Sequence, residues 1–343
     1  SIIDLEAFLQ HIETYFPVNF LSNEQISLEH PEWSVEKISS KTGINNRYIA
    51  AENETSSDMA FQAAEKLLQK HNLREIIDYV LFCTQSPDYF LPTSACILQE
   101  KLQLRKNIGA LDFNLGCSGY IYGLGMAKGL IISGQAKNVL LITAETYSKF
   151  INKNDKSNRT IFGDAATASI IKNEALTNGM NAQIGNFDYG TDGSGSDYLI
   201  VKNGGQRNIT NEENIQFDEE GNFLSNDNNL FMNGKEIFNF TANEIPPLVK
   251  TNLISNQTET ENVDLFIFHQ ANAFMLNFIR NRCKIPKEKF YINIENIGNT
   301  VSNTIPIALK YAQEEGKIDK NKKIMLCGFG VGLSMGSVVL EIK

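Results

Sequence analysis

Runs of apolar residues recur along the chain and differ in period. D-Y-V-L-F-C-T (Asp78–Thr84), Ile108–Leu115, N-V-L-L-I-T-A (Asn138–Ala144) and Ala165–Ile171 are short and nearly unbroken. That pattern predicts strands buried on both faces. Between them, Ser94–Leu102, opened by Pro92 and Thr93, and Gly119–Ile132, closed by Gly134, have helical spacing. The second half repeats the theme. Helices are predicted over Ile237–Asn252 (despite Pro246-Pro247), Ala273–Cys283 and Thr304–Glu315, and strands over Val263–Phe268, Phe290–Ile292, Lys323–Cys327 and Ser337–Ile342. This β-α-β order predicts an α/β fold whose sheet is covered on both sides. The matching element order implies two halves, residues 1–175 and 176–343, with a seam near residues 172–182. The acidic, Asn-rich stretch Arg207–Asn229 reads as a solvated loop without calcium-loop spacing, and G-T-D-G-S-G (Gly190–Gly195) as a flexible loop.

Length and composition fit this frame. A chain of 343 residues with 42% hydrophobic content can bury a large core. A formal charge of −9 argues against a general nucleic-acid or membrane binder. No apolar run approaches the ~20 residues of a spanning helix, and no secretory leader is legible at the start. Five cysteines without C-x-x-C or metal-finger spacing predict a reduced, cytoplasmic protein with no metal site.

Three polar residues stand where glycine-marked turns meet apolar segments: Cys117 in N-L-G-C-S-G, His269 in F-I-F-H-Q-A-N, and Asn299 in N-I-G-N-T-V-S-N. Most intracellular cysteines are small buried hydrophobes, and Cys83, Cys96, Cys283 and Cys327 are read that way. Cys117 differs because Gly116 and Gly119 permit a sharp strand-to-helix turn. A thiol at a helix N-terminus is expected to have a lowered pKa. His269 ends a strand, a place equally suited to a satisfied core histidine. Asn299 alone reads as a turn residue. Together, a thiol, an imidazole and a carboxamide suit acyl transfer through a thioester. The segment C-G-F-G-V-G-L-S-M-G (Cys327–Gly336) is not a dinucleotide fingerprint, since the chain ends seven residues later. It is expected to form a turn whose N–H groups face a ligand oxygen.

The chain resembles the β-ketoacyl-acyl-carrier-protein synthases of type III, within the thiolase-like condensing enzymes. The matching segments are K-T-G-I-N-N-R-Y-I-A (Lys41–Ala50), C-S-G, R-T-I-F-G-D-A-A (Arg159–Ala166), H-Q-A-N (His269–Asn272), I-G-N-T (Ile297–Thr300) and the terminal G-F-G-V-G. The resemblance implies a thiolase-like five-layered αβαβα fold from two duplicated halves, and a homodimer. It implies acyl loading of Cys117 from acyl-CoA, then decarboxylative condensation with malonyl-acyl carrier protein, without a cofactor. His269 and Asn299 would stabilise the enolate, and the N–H groups of Cys117 and Val331 would form a second oxyanion hole. Lys41, Arg159, Leu91, Asn272 and Phe329 would contact substrate, Leu91 at an acyl pocket shared with the partner subunit. The chain departs from the family where Lys37 replaces a Trp, Lys41 an Arg, Phe274 a basic residue, and Asn239 a carrier-binding Lys. The altered docking positions motivate one alternative, an acyltransferase of the same fold acting on a hydroxyl or amine. Two others stand apart from them: a Cys-His-Asn hydrolase, against which the missing Trp beside C-S-G, the reduced-compartment cysteine usage and the terminal glycine turn argue, and a non-catalytic partner subunit, against which the complete Cys-His-Asn set argues.

Overall fold

In the computed structural model, which describes residues 5–343, nine strands form one continuous sheet. They are β1 (Phe8–Tyr15), β2 (Tyr79–Cys83), β3 (Gly109–Phe113), β4 (Asn138–Glu145), β5 (Ala165–Lys172), β6 (Ala182–Thr191), β7 (Leu265–Phe268), β8 (Lys323–Gly330) and β9 (Ser334–Ile342). Their spatial order is β7-β8-β9-β6-β1-β5-β4-β2-β3. β3, β2 and β4 run parallel, and β5 and β1 follow antiparallel. Beyond β1 a similar arrangement recurs with one parallel strand fewer. β7 and β8 are parallel, and β9 and β6 follow antiparallel. The two sets meet where Phe8 and Leu9 pair with Gln183 and Ala182.

The unbroken apolar runs have a simple cause. In β4, Val139 and Leu141 face one core while Leu140 and Ile142 face another, and both sides are buried. The shared central core packs helices α4 (Gly119–Ile132) and α7 (Thr304–Glu314) against strands of both sets. Helices α2 (Ser56–His71) and α3 (Ser94–Lys101) cover the outer face of the first set, and α5 (Gly234–Ser255) and α6 (Ala273–Arg282) that of the second. The order helix–sheet–helix–sheet–helix is the five-layered architecture expected of a thiolase-like chain. A short helix, α1 (Val35–Thr42), lies beside α6.

Several elements differ from the sequence expectation. Phe290–Ile292 is not a strand; only Phe290 bridges to Phe266, in the parallel sense. The glycine segment Cys327–Gly336 is mostly strand, because β8 runs to Gly330 and β9 starts at Ser334. Its turn is three residues, with paired ladders on either side. Gly190 and Thr191 belong to β6, paired with Met335 and Ser334, so that stretch is not a free loop. Arg207–Asn229 is exposed over most of its length, with one small ladder between Gln216–Phe217 and Phe223–Ser225. Among the described residues, no helix is long and apolar enough to cross a membrane, and no cluster of three metal-ligating side chains occurs.

Candidate active site

Cys117 occupies the turn between β3 and α4 and is 5% exposed. The turn is fixed from two sides. The Ser118 and Ser334 hydroxyls lie 2.6 Å apart, tying it to the start of β9. Behind it, Tyr147 donates its hydroxyl proton to Gln85 Oε1, and both side chains press on Gly116. Gly330, at the end of β8, lies directly against the thiol. A Cβ there would be 2.8 Å from Cys117 Cβ and 3.1 Å from Sγ.

His269 follows β7. Its N–H donates to Cys327 O (2.8 Å), which continues the parallel ladder by one residue. Its ring Nδ1 is 2.8 Å from Thr304 Oγ1 at the first turn of α7. Asn299 precedes that helix. Gly298 before it has φ +70°, and an added Cβ would lie 2.7 Å from Ile161 O, so only glycine fits. The Asn299 N–H donates to Ile161 O (2.9 Å), and its own carbonyl accepts from Gly163 N–H (2.9 Å). Its Oδ1 accepts the Val301 N–H at 2.9 Å. That contact fixes the amide orientation and leaves Nδ2 3.4 Å from His269 Nε2.

Cys117, His269 and Asn299 line one cavity of about 860 Å³. Its walls are largely apolar, with Phe162, Leu199, Met232, Ile237 and Met275 among them. Exposed Lys37, Lys41 and Lys156 also line it and mark its solvent end. Phe329 stands edge-on to the His269 ring at 5.5 Å between centroids. Asn272 reaches the cavity and caps α6, accepting from Met275 N–H at 2.9 Å.

Other expected contacts lie elsewhere. Arg159 is outside this cavity; its guanidinium pairs with Glu29 at 2.7 Å and faces a separate cleft. Leu91 is 82% exposed at the tip of the β2–α3 connection, beside exposed Tyr89 and Phe90, and lines no part of the cavity. The Val331 side chain packs on Gly116, outside the cavity lining. Within the matched Lys41–Ala50 segment, Arg47 is fully buried and donates to Leu21 O, Asn23 Oδ1 and Thr160 O. It ties the Leu21–Asn23 segment to Thr160, which lines the cavity, and its pKa is lowered to about 10 by burial. Two further residues near the site, Lys156 and Glu145, carry no motif in the sequence. Lys156 stands in an ordinary polar run, and Glu145 ends an apolar one, a position that itself signals a buried carboxyl.

Electrostatics overturns one expectation. The Cys117 thiol is pushed up to about 12, mainly by burial and secondarily by the nearby Glu145 carboxyl, while its own N–H acts in the opposite direction. A thiol buried among largely apolar walls loses more as an anion than the helix terminus returns. Glu145 is itself pushed up to about 8 by burial, against hydrogen bonds from Gln85 N–H and Thr84 Oγ1. It is therefore mostly neutral at pH 7, and burial alone accounts for most of the thiol's shift. His269 is lowered to about 3 by burial, so its ring is uncharged.

The duplicated five-layered frame, with a cysteine at the central helix and a neutral imidazole across the cavity, defines a thiolase-like protein. A family model described as 3-oxoacyl-[acyl-carrier-protein] synthase III matches residues 111–193, and the model of that family's C-terminal region matches residues 253–342. A β-ketoacyl-[acyl-carrier-protein] synthase III of Clostridium perfringens is 36% identical over 329 residues, covering 96% of this chain and 97% of the relative. A solved 3-oxoacyl-(acyl-carrier-protein) synthase III superposes with a TM-score of 0.94 at 43% identity, covering 98% of this chain and 100% of the other. A 3-oxoacyl-(acyl-carrier protein) synthase from Burkholderia xenovorans gives 0.87 at 32% identity, covering 98% and 94%. The chain belongs to the β-ketoacyl-acyl-carrier-protein synthase III family.

Proposed function

We propose that the protein condenses an acyl-CoA with a malonyl thioester held on acyl carrier protein, releasing carbon dioxide and giving a 3-oxoacyl product. The observation that carries this reading is the convergence of Cys117, His269 and Asn299 on one largely apolar cavity. In the first stage Cys117 Sγ attacks the acyl-CoA carbonyl. Its proton goes to the departing coenzyme A sulfur, and the acyl group stays as a thioester. In the second stage the bond between the malonyl α-carbon and its carboxylate breaks. Its electron pair moves into the enolate, and carbon dioxide departs. His269 Nε2 and Asn299 Nδ2 donate to the enolate oxygen, where charge develops. The α-carbon then attacks the Cys117 thioester, with the N–H groups of Cys117 and Val331 holding the tetrahedral oxygen. Collapse expels the Cys117 sulfur as a thiolate, which takes a proton from solvent.

Burial suits this chemistry. A neutral imidazole donates hydrogen bonds without competing for a proton, and an apolar wall favours loss of a carboxylate to a neutral gas. No step calls for a cofactor. Lys37, Lys41 and Lys156 are suited to phosphate groups of coenzyme A or of the carrier's prosthetic arm, taking the place of Arg159, which is committed to Glu29. We assign the nucleophile to the half spanning residues 1–175 and the enolate donors to residues 176–343. The exposed Tyr89, Phe90 and Leu91 support a homodimer in which this tip enters a second copy. Five unbridged cysteines support a reducing, cytoplasmic setting.

The names of the relatives do not favour the alternative of acyl transfer to a hydroxyl or amine. Intact-mass measurement with acyl-CoA, and carbon dioxide release from malonyl-carrier protein, test the proposal. Cys117→Ala should take up no acyl group, and His269→Ala should acylate normally yet release no carbon dioxide. Normal condensation by either variant removes the assignment.

A further inference from the structure

We propose that Thr304 is a positioning residue that sets the tautomer of His269, so that Nε2 rather than Nδ1 holds the ring proton. The inference rests on the proposed decarboxylation, and its observations are independent of it. Asn299 Nδ2 points toward the cavity because its Oδ1 accepts Val301 N–H. It lies 3.4 Å from His269 Nε2. Only if Nε2 bears hydrogen do both groups offer donors to one oxygen seated between them. A neutral imidazole has one N–H, so Nδ1 must then accept.

The group facing Nδ1 is the Thr304 hydroxyl, at 2.8 Å. That hydroxyl has one proton and two possible acceptors, Nδ1 and Val301 O at 3.2 Å. The Val301 carbonyl already receives the Thr304 backbone N–H, which closes the turn into α7. The carbonyl is therefore satisfied without the hydroxyl, and Nδ1 is not. The shorter contact takes the proton. The Thr304 hydroxyl is 3% exposed and lies outside the cavity lining, so water does not compete for the Nδ1 contact, while Nε2 faces the cavity. Burial also keeps the ring neutral, which makes the tautomer, rather than the charge state, the relevant variable.

Removing the hydroxyl reverses the balance. In Thr304→Val, Nδ1 loses its donor. Nε2 then gains by accepting the Asn299 Nδ2 proton, so the hydrogen moves to Nδ1. The pair keeps its place while losing one of its two donors. Thr304→Ser retains the hydroxyl and serves as rescue.

The test reads the His269 ring nitrogens by ¹⁵N NMR in the substrate-free protein. The signal is identified by its absence in His269→Ala among only four histidines. Wild type and Thr304→Ser should show Nε2–H, and Thr304→Val should show Nδ1–H. Carbon dioxide release by Thr304→Val should fall about 10²-fold, as for loss of one oxyanion donor, with Cys117 acylation unchanged. Nδ1–H in the wild type overturns the inference, and so does full decarboxylation by Thr304→Val. Should Thr304→Val fail to fold, the wild-type tautomer and the Ser variant still decide. A wild type that releases no carbon dioxide at all refutes the proposed reaction instead, and leaves the spectra to decide the role of Thr304.

Discussion

Gly330→Ala is the sharpest probe of how the fold holds the nucleophile. The glycine backbone is not in the left-handed region, so alanine adds no dihedral penalty. The effect is purely steric. The new methyl would lie 2.8 Å from Cys117 Cβ and 3.1 Å from Sγ. Carbon contacts settle near 3.5–4.0 Å, so something must shift by roughly 1 Å. The clash is with Cβ, which no rotamer change relieves. β8 is paired to β9 over its whole length, with Gly330 itself opposite Ser334, and to β7 as far as Cys327. The Cys117 turn therefore moves. Overpacking of this kind costs about 1–3 kcal/mol of stability. Displacing a reacting atom by about 1 Å costs about 10²-fold in rate, equal to ~2.7 kcal/mol of barrier. Urea unfolding reports the first quantity, and the rate of mass gain at Cys117 with acyl-CoA reports the second. Gly129→Ala, at an exposed position in the last turn of α4 where nothing lies within 4 Å of the added methyl, is the control. It should stabilise by about 0.5–1 kcal/mol and leave acylation unchanged. Acylation of Gly330→Ala within about threefold of wild type would refute the argument that β8 pins the thiol.

Two further outcomes follow from the buried titrating groups. Glu145 has a folded pKa of about 8, above the ordinary glutamate value of 4.5. Its contribution to stability is complete below pH 4.5 and is lost as pH rises toward 8, on the order of 5 kcal/mol in total. Urea midpoints of Glu145→Gln should fall less than wild type over that window; parallel curves would show that the carboxyl is not the cause. His269, lowered to about 3 from 6.5, contributes stability that is present above pH 6.5 and lost as pH falls toward 3. Its neutrality also predicts carbon dioxide release with no acid limb between about pH 5.5 and 8. A limb centred near 6.5 that disappears in His269→Gln would contradict the buried, uncharged ring.

Much of this was legible in local pattern. The limits of α4 coincide with those expected, Gly119–Ile132. The apolar runs at Asn138 and Ala165 are β4 and β5, each longer by a single residue. Where the reading failed, the cause was non-local. The glycines of Cys327–Gly336 look like a loop, yet they are strand because Gly328 and Gly330 let β8 pass hard against the Cys117 turn. Arg159 stands in a matched motif, and its guanidinium pairs with Glu29, far off in sequence, outside the cavity lining.

The order of elements along the chain, and the glycine-marked positions of Cys117, His269 and Asn299, are properties of the sequence itself, since they depend on neighbours a few residues away. Their meeting around one cavity is not, because it requires β3, β7 and the start of α7 to be brought together by pairing across hundreds of residues. Protonation belongs to the same category. Helix position alone argued for a lowered thiol pKa, and burial in the assembled core raised it. A residue's distance from water is decided only when the layers close.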